Sequence, residues 1–459
     1  MDLDAFRRHG HAMVDWLADY LERVGDGPVL PSVAPGDVRR QLPAAPPERA
    51  EPFSALEADF ERVIMPGMTH WGHPGFFAYF PANHSPPSIL AEFLVAGLGA
   101  QCMSWQTSPA ATELEQVVME WLRQMTGLPE GFTGVLQDYA STSTLVALIT
   151  ARDQAADRVG RSVVYLSEEA HSSVAKGARL AGFSPALVKM VATDERFAMR
   201  PDALEAMIAA DRAAGLHPAA LVATAGTTSS TAIDPLAALG PIAKREGLWL
   251  HVDAAYGGTA AIVPELRSIL DGVEHADSLV MNPHKWMLVN HDCSAYFVRD
   301  PDLLLRSFST SPEYLKTRHD DRVVNYRDWG IPLGRRFRAL KLWFVIRSYG
   351  VEGIRELVRT HVAWGRMLAE RVEAHPALEL AAPAPLGLVC FRCRGGSPEE
   401  SDQRSRTLLE AINATGEFFL SHTVLGGRYT IRVALGHRAA TEELVNRLWT
   451  RVTELCPAA

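Results

Sequence analysis

Residues 247–258 read GLWLHVDAAYGG. A mostly apolar run, Leu248 to Val252 with His251 inside it, stops at one acid, Asp253, and is followed by small residues and two glycines. This is the pattern of a strand whose last turn presents Asp253. Similar short runs stand on either side: SVVYLS (162–167), ALVKMVAT (186–193), AALVATAG (219–226), SLVMN (278–282) and CSAYFV (293–298). Between them, DALEAMIAADRAAG (202–215) and DPLAALGPIAKREG (234–247) carry helical spacing. The alternation predicts βα units and an α/β fold, with a mostly parallel central sheet and helices on both faces. Ligands in such sheets gather at the carboxyl ends of the strands.

The rest of the chain frames that core. With 459 residues it is too long for one simple core. Its 47% hydrophobic and 22% charged content is that of a globular protein. The net charge is −9, without a Lys/Arg-rich block, which argues against a nucleic-acid partner. The first residues, MDLDAFRRHG, lack the basic-then-apolar order of a signal peptide. The longest apolar run, 88–100, is interrupted by Glu92 and followed by Gln101, so no membrane span is expected. A cytoplasmic location is expected. Five cysteines make no disulfide framework. Cys390 and Cys393 form a C-x-x-C on an expected strand, where odd spacing sends the thiols to opposite faces. No second Cys or His pair stands nearby at metal-ligand spacing, and no metal site is expected.

Three regions are expected. Residues 1–85 form an N-terminal arm: a helix at 4–24 with Met13, Leu17, Tyr20, Leu21 and Val24 on one face, then a proline-rich stretch (27–53) unsuited to helix or central sheet. Such an arm cannot bury much alone, and a second subunit is the natural surface for it. Residues 86–350 hold the large domain, and 351–459 a smaller α/β domain.

Three neighbouring strand ends carry the chemistry. ATAGTTSST (223–231) presents Thr227 and Thr228, GLWLHVDAAYGG presents Asp253, and SLVMNPHKW (278–286) presents Lys285. Singly, each reads as well as a cap or a surface cation. Together with a glycine-rich turn they meet the needs of pyridoxal phosphate: an amine for its aldehyde, a carboxylate for its ring nitrogen, and hydroxyls with free N–H groups for its phosphate. LQDYASTSTLVALITARD (136–153) adds Ala140, Ser141 and Thr142 at the start of an apolar helix. His171, in LSEEAHSSVAKG (166–177), follows another strand; alone it reads as a hydrogen-bonded loop residue, and in this setting it could stack on the cofactor ring.

With these residues in view, the chain resembles the group II pyridoxal-phosphate decarboxylases, and among them the aromatic-L-amino-acid decarboxylases. The signatures run in order: IMPGMTHWGHPGFFAYFPAN (64–83), SWQTSPAATELE (104–115), LHVDAAYGG (250–258), NPHKWMLVNHDCSAYFV (282–298) and IPLGRRFRALKLWFVIRSYG (331–350). The resemblance implies an aspartate-aminotransferase-like fold type I and a homodimer with active sites at the subunit interface. It implies Lys285 as the Schiff-base lysine, Asp253 at the pyridine nitrogen and His171 on the ring. Ala140, Ser141, Asn282 and His284 would hold the phosphate, and Thr228 would touch the cofactor side. Tyr314, in the charged stretch TSPEYLKTRHDDRVVNYRDWG (310–330), matches a loop tyrosine that protonates the carbanion once carbon dioxide has left.

For the substrate, the resemblance points to Trp71, Tyr79, Phe80 and Pro81, with Gln101, Met103 and Gly334. Aromatic walls suit a flat apolar ring, so the expected substrate is an aromatic L-amino acid of the tryptophan, DOPA, tyrosine or phenylalanine type. Gly334 is similar to the glycine that some plant relatives use with indole substrates. Two departures stand out. Tyr139 replaces a small hydroxyl residue, and Gln101 and Met103 stand at Ile-like and Phe-like positions of the animal enzymes. Three alternatives stay open: a decarboxylase of a non-aromatic amino acid, an aldehyde synthase on the same scaffold, and a cofactor-binding protein without turnover. Aldehyde synthases often carry Phe at the Tyr314 position or Asn at the His171 position, and this chain carries neither change.

Overall fold

The computed structural model describes residues 1–310, 313–315 and 318–456. Its centre is a seven-stranded sheet: β1 (Thr133–Gln137), β2 (Ser162–Ser167), β3 (Val188–Val191), β4 (His217–Thr224), β5 (Trp249–Asp253), β6 (Ser278–Met281) and β7 (Ser294–Val298). The spatial order is β1-β7-β6-β5-β4-β2-β3. Strands β2 to β6 run parallel, while β7 is antiparallel to both of its neighbours. All five residues of β5 are buried, as expected of a central parallel strand covered on both faces.

Strand β1, TGVLQ, has no counterpart in the sequence reading. Gly134 interrupts its apolar pattern, and the packing explains why. A Cβ at Gly134 would lie 2.2 Å from Met119 Cε and 2.9 Å from the Tyr296 carbonyl oxygen. The glycine lets β1 pair closely with β7 under the helix Pro109–Thr126.

A second, antiparallel sheet holds β8 (Leu378–Leu380), β9 (Leu388–Cys393), β10 (Ser421–Leu425) and β11 (Arg428–Ala434), in the order β10-β11-β9-β8. The helices Pro398–Ala414 and Glu442–Leu455 pack their apolar residues on it. A long helix, Arg338–Ala374, links the two sheets and is broken at Gly350, where φ is 66° and ψ 167°. Cys390 packs into the core shared with the large sheet and Cys393 into the core of the small one, as strand periodicity requires.

At the N-terminus, Asp2 caps the helix Leu3–Arg23 by accepting from the Ala5 N–H, and no residue of that helix is buried. The proline-rich stretch corrects one expectation, since it contains a short helix, Asp37–Gln41, opened by Gly36 in the left-handed region (φ 96°). The prolines flank this turn rather than occupy it. The stretch around Phe77 is tied to the small sheet: its N–H donates to the Phe419 carbonyl, and its own carbonyl accepts from the Ala434 N–H. Among the described residues no helix is long and apolar enough to cross a membrane.

Candidate active site

At the carboxyl ends of β4, β5 and β6, beside the start of the helix Ala140–Ala155, lies a cavity of about 220 Å³. Its walls include all eight residues expected to hold the cofactor: Ala140, Ser141, His171, Thr228, Asp253, Asn282, His284 and Lys285. A wider cleft, about 800 Å³, opens at the amino ends of the same strands between Arg158, Arg212 and Trp249, away from these groups.

Lys285 sits on the short helix Pro283–Trp286 that follows β6. Asn83 fixes its backbone, donating from Nδ2 to the carbonyls of Lys285 (2.8 Å) and Gly436 (2.7 Å). The ammonium stands 5.4 Å from the centroid of the Phe80 ring. Burial pushes the Lys285 amine below its ordinary pKa, and the Asp253 carboxylate opposes that shift. Asp253 is held at the end of β5, where one carboxylate oxygen accepts from the Ala255 N–H at 3.0 Å.

The two histidines have assigned tautomers. His171 Nδ1 accepts from the Ser173 N–H (3.2 Å), leaving the proton on Nε2. Burial lowers its pKa, with Asp253 raising and Lys285 lowering it further. His284 Nδ1 accepts from the Cys293 N–H (3.0 Å). Burial, then the nearby His291 and Lys285, push it down to about 3, so it is a neutral Nε2–H donor. Asn282 Oδ1 accepts from the Ser294 hydroxyl (2.7 Å), which leaves the amide hydrogens for the cavity. Ala140 and Ser141 open their helix, whose first N–H groups have no intrahelical acceptor. Tyr139, the residue before them, gives no side-chain cap and packs its ring on His284 and His291. Two further wall hydroxyls, Thr224 Oγ1 and Tyr256 OH, are buried without a partner. An amine, an acid, several N–H donors and unpartnered buried hydroxyls around one hollow fit pyridoxal phosphate.

Sequence reasoning missed Thr224, Tyr256 and Asn83. Thr224 lay in the threonine-rich string already singled out, but Thr227 took its place in the reading. Thr227 in fact braces the turn, bonding to the Ser230 hydroxyl (3.1 Å) and accepting from the Ala232 N–H (3.0 Å).

Other expected residues stand apart. Phe80 is nearest, stacked on Tyr256 at 3.8 Å. Tyr79, half-exposed, stacks on Trp71 at 5.9 Å, and Pro81 packs against Gly436. Gln101, Met103 and Gly334 do not line the cavity. Gln101 Oε1 accepts from the Arg335 N–H (2.8 Å), and its Nε2 would lie 3.1 Å from a Cβ at Gly334. The Met103 carbonyl accepts from the Arg327 N–H. Arg335 is buried against Glu115 (2.6 Å) and Arg336 pairs with Glu92, so both are engaged. Tyr314, on the turn Glu313–Leu315, is 80% exposed and does not line the cavity. Residues 311, 312, 316 and 317 of its expected loop lie outside the described residues.

Comparison with known proteins agrees with this geometry. The pyridoxal-dependent decarboxylase conserved domain matches residues 35–394. The phenylacetaldehyde synthase of Arabidopsis thaliana is 45% identical, over 99% of this chain and 96% of its own length. The aromatic-L-amino-acid decarboxylase of Mus musculus is 43% identical, over 99% of this chain and 98% of its own. The crystal structure of Oryza sativa TDC with PLP and tryptamine superposes with a TM-score of 0.97 at 38% identity, covering 100% of this chain and 99% of that one. The chain therefore belongs to the pyridoxal-dependent decarboxylase family.

Proposed function

We propose that this chain converts an aromatic L-amino acid to the corresponding amine and carbon dioxide, using pyridoxal phosphate. The observation that carries the reading is the convergence of Lys285 and Asp253 in one cavity with the open N–H groups of the helix Ala140–Ala155. Bound there, pyridoxal phosphate supplies an electron sink for the pair left on the substrate carbon as carbon dioxide departs. Lys285 would tether it, and the lowered pKa of that amine favours the nucleophilic, neutral form. Asp253 would face the ring nitrogen and keep it protonated. Ala140, Ser141, Asn282 and the His284 Nε2–H would receive the phosphate, with Thr228 at the side and His171 over the ring.

The other expected residues find work in a homodimer. The N-terminal helix and the segment behind it form an apolar groove lined by Met13, Trp16, Leu17, Phe53, Leu56 and Phe60. A second copy of this chain is the proposed cover. In that dimer the patch of Gln101, Met103 and Gly334, and the turn carrying Tyr314, serve the cavity of the other copy. Tyr314 would there return a proton to the substrate carbon. Cys102, Cys293, Cys390 and Cys393 stand outside any disulfide, in accord with a cytoplasmic setting.

Relatives named tyrosine, tryptophan and aromatic-L-amino-acid decarboxylases support an aromatic substrate. The Phe80 ring beside the Lys285 amine supports it too, and Gly334 favours an indole. A second reading, an aromatic aldehyde synthase, draws on the likeness to the phenylacetaldehyde synthase. The retained Tyr314 and His171 favour amine formation. The test is product identification with pyridoxal phosphate and a panel of amino acids. Amines from aromatic members are the expected result. Aldehyde with ammonia and peroxide would install the second reading, and an aliphatic diamine or ω-amino acid would remove the aromatic one.

A further inference from the structure

Arg432 stands on β11, in the small sheet, and is 3% exposed. Its Nη2 donates to the carbonyls of Thr228 (2.7 Å) and Tyr79 (3.3 Å). Its Nε donates to the Ser229 carbonyl (3.2 Å) and its Nη1 to the Ser421 hydroxyl (2.8 Å). The guanidinium also lies over the Phe80 ring, 5.4 Å from its centroid. Among the described residues its charge meets carbonyl and hydroxyl dipoles rather than a carboxylate. A dry cation without a counter-charge is costly, and an apolar side chain of similar volume would avoid that cost. What an apolar side chain lacks is a rigid planar fork of five donors.

The acceptors of that fork explain its use. Thr228 lines the cavity, and Phe80, next to Tyr79, stands beside the Lys285 amine. Tyr79 has a left-handed backbone (φ 53°), an unfavourable state for a bulky residue. It is gripped on both sides: its N–H donates to the Ser421 hydroxyl (3.1 Å), and its carbonyl accepts from Arg432. Since Ser421 is itself held by Arg432, one side chain fixes both grips.

We propose that Arg432 is a positioning residue of the decarboxylation site, locking the aromatic wall at Tyr79–Phe80 and the turn at Thr228–Ser229 into one register. The inference rests on the reading that this cavity takes pyridoxal phosphate and an aromatic amino acid. Arg432 touches neither. It sets the position of Thr228, which lines the cavity, and of Phe80 beside the Lys285 amine.

Arg432→Lys and Arg432→Gln test this. Lysine keeps the charge and glutamine keeps polarity, but neither spans four acceptors. Thr423→Val is the control: it removes the bond from Thr423 to the Ser229 hydroxyl (3.0 Å) and leaves the fork intact. With the cofactor-free protein, hydrogen–deuterium exchange should accelerate at residues 76–80 and 226–231 in both Arg432 variants, while residues 162–167 stay as in the wild type. With the loaded enzyme, KM for the aromatic substrate should rise about tenfold as the Phe80 and Thr228 segments lose their register, with a smaller fall in kcat. The control should show neither change. Folded Arg432 variants with wild-type exchange and wild-type KM would overturn the proposal. Should the glutamine variant fail to fold, the lysine variant decides. If the wild type neither binds pyridoxal phosphate nor releases carbon dioxide, the functional reading falls, and the exchange experiment still judges the clamp.

Discussion

Asn83 illustrates how much of the site depends on single distant side chains. Its two amide hydrogens go to the carbonyls of Lys285 and Gly436, and its Oδ1 accepts from the Arg438 N–H at 2.9 Å. One buried amide thus joins the Lys285 turn to the small sheet's far end. Asn83→Ala leaves two carbonyls and one N–H unpaired in a dry place. It should cost about 1–3 kcal/mol in urea unfolding, with weaker cofactor retention. An unchanged midpoint would contradict the role. At this scale the sequence was informative where a polar residue ends an apolar strand. Lys285 and Asp253 could be singled out because an amine and an acid at neighbouring strand ends suit one cofactor together, while Asn282 and His284 came only with the family resemblance. Asn83, Thr224 and Tyr256 could not, because their significance lies in contacts hundreds of residues away or in a missing partner.

Among elements, the turn after β5 governs the site. Its two glycines are space-limited: a Cβ on Gly257 would stand 2.3 Å from the Ala225 carbonyl oxygen, and one on Gly258 2.6 Å from Met281 Cβ. The turn therefore lies against the ends of β4 and β6, which places Asp253 between the threonines and Lys285. Gly257→Ala should force β4 and the turn apart, lowering stability by about 1–3 kcal/mol and cofactor affinity with it. A thermal melt and a pyridoxal phosphate titration measure both, and wild-type values in each would refute the packing argument. Behind the turn, Tyr256 is sandwiched between Phe80 and Trp286 (4.6 Å), and Trp286 Nε1 donates to His361 Nδ1 at 2.9 Å. The strand-helix alternation made β2 to β7 legible. The glycine that lets β1 approach β7 also hid it, and the helix Asp37–Gln41 was masked by prolines that only border it.

For the whole molecule, buried titratable groups set the response to acid. Burial is the largest cause holding His251 and His361 at about 4, and His284 and His437 at about 3, against an ordinary 6.5. Each binds a proton in the unfolded chain before it does in the folded one. Below pH 6.5 each therefore removes roughly 1.4 kcal/mol of stability per pH unit until its folded pKa is reached. Asp234 and Asp277 act in the opposite sense. Burial raises both to about 6 from 3.8, so the folded chain keeps protons that the unfolded chain releases, and stability is gained as pH falls from 6 to 3.8. Four histidines outweigh two carboxyls. The melting temperature of the cofactor-free protein should fall steadily from pH 7 to pH 4.5, and a flat profile would show these histidines to be charged or exposed.

The proposed chemistry requires that the amine of Lys285 is the group that takes the cofactor. Borohydride reduction of the protein with pyridoxal phosphate, followed by peptide mapping, asks this directly. The account predicts one pyridoxyl adduct, on Lys285 in the peptide containing NPHKW, and none in Lys285→Ala. An adduct on another lysine, or one that survives in Lys285→Ala, would contradict it.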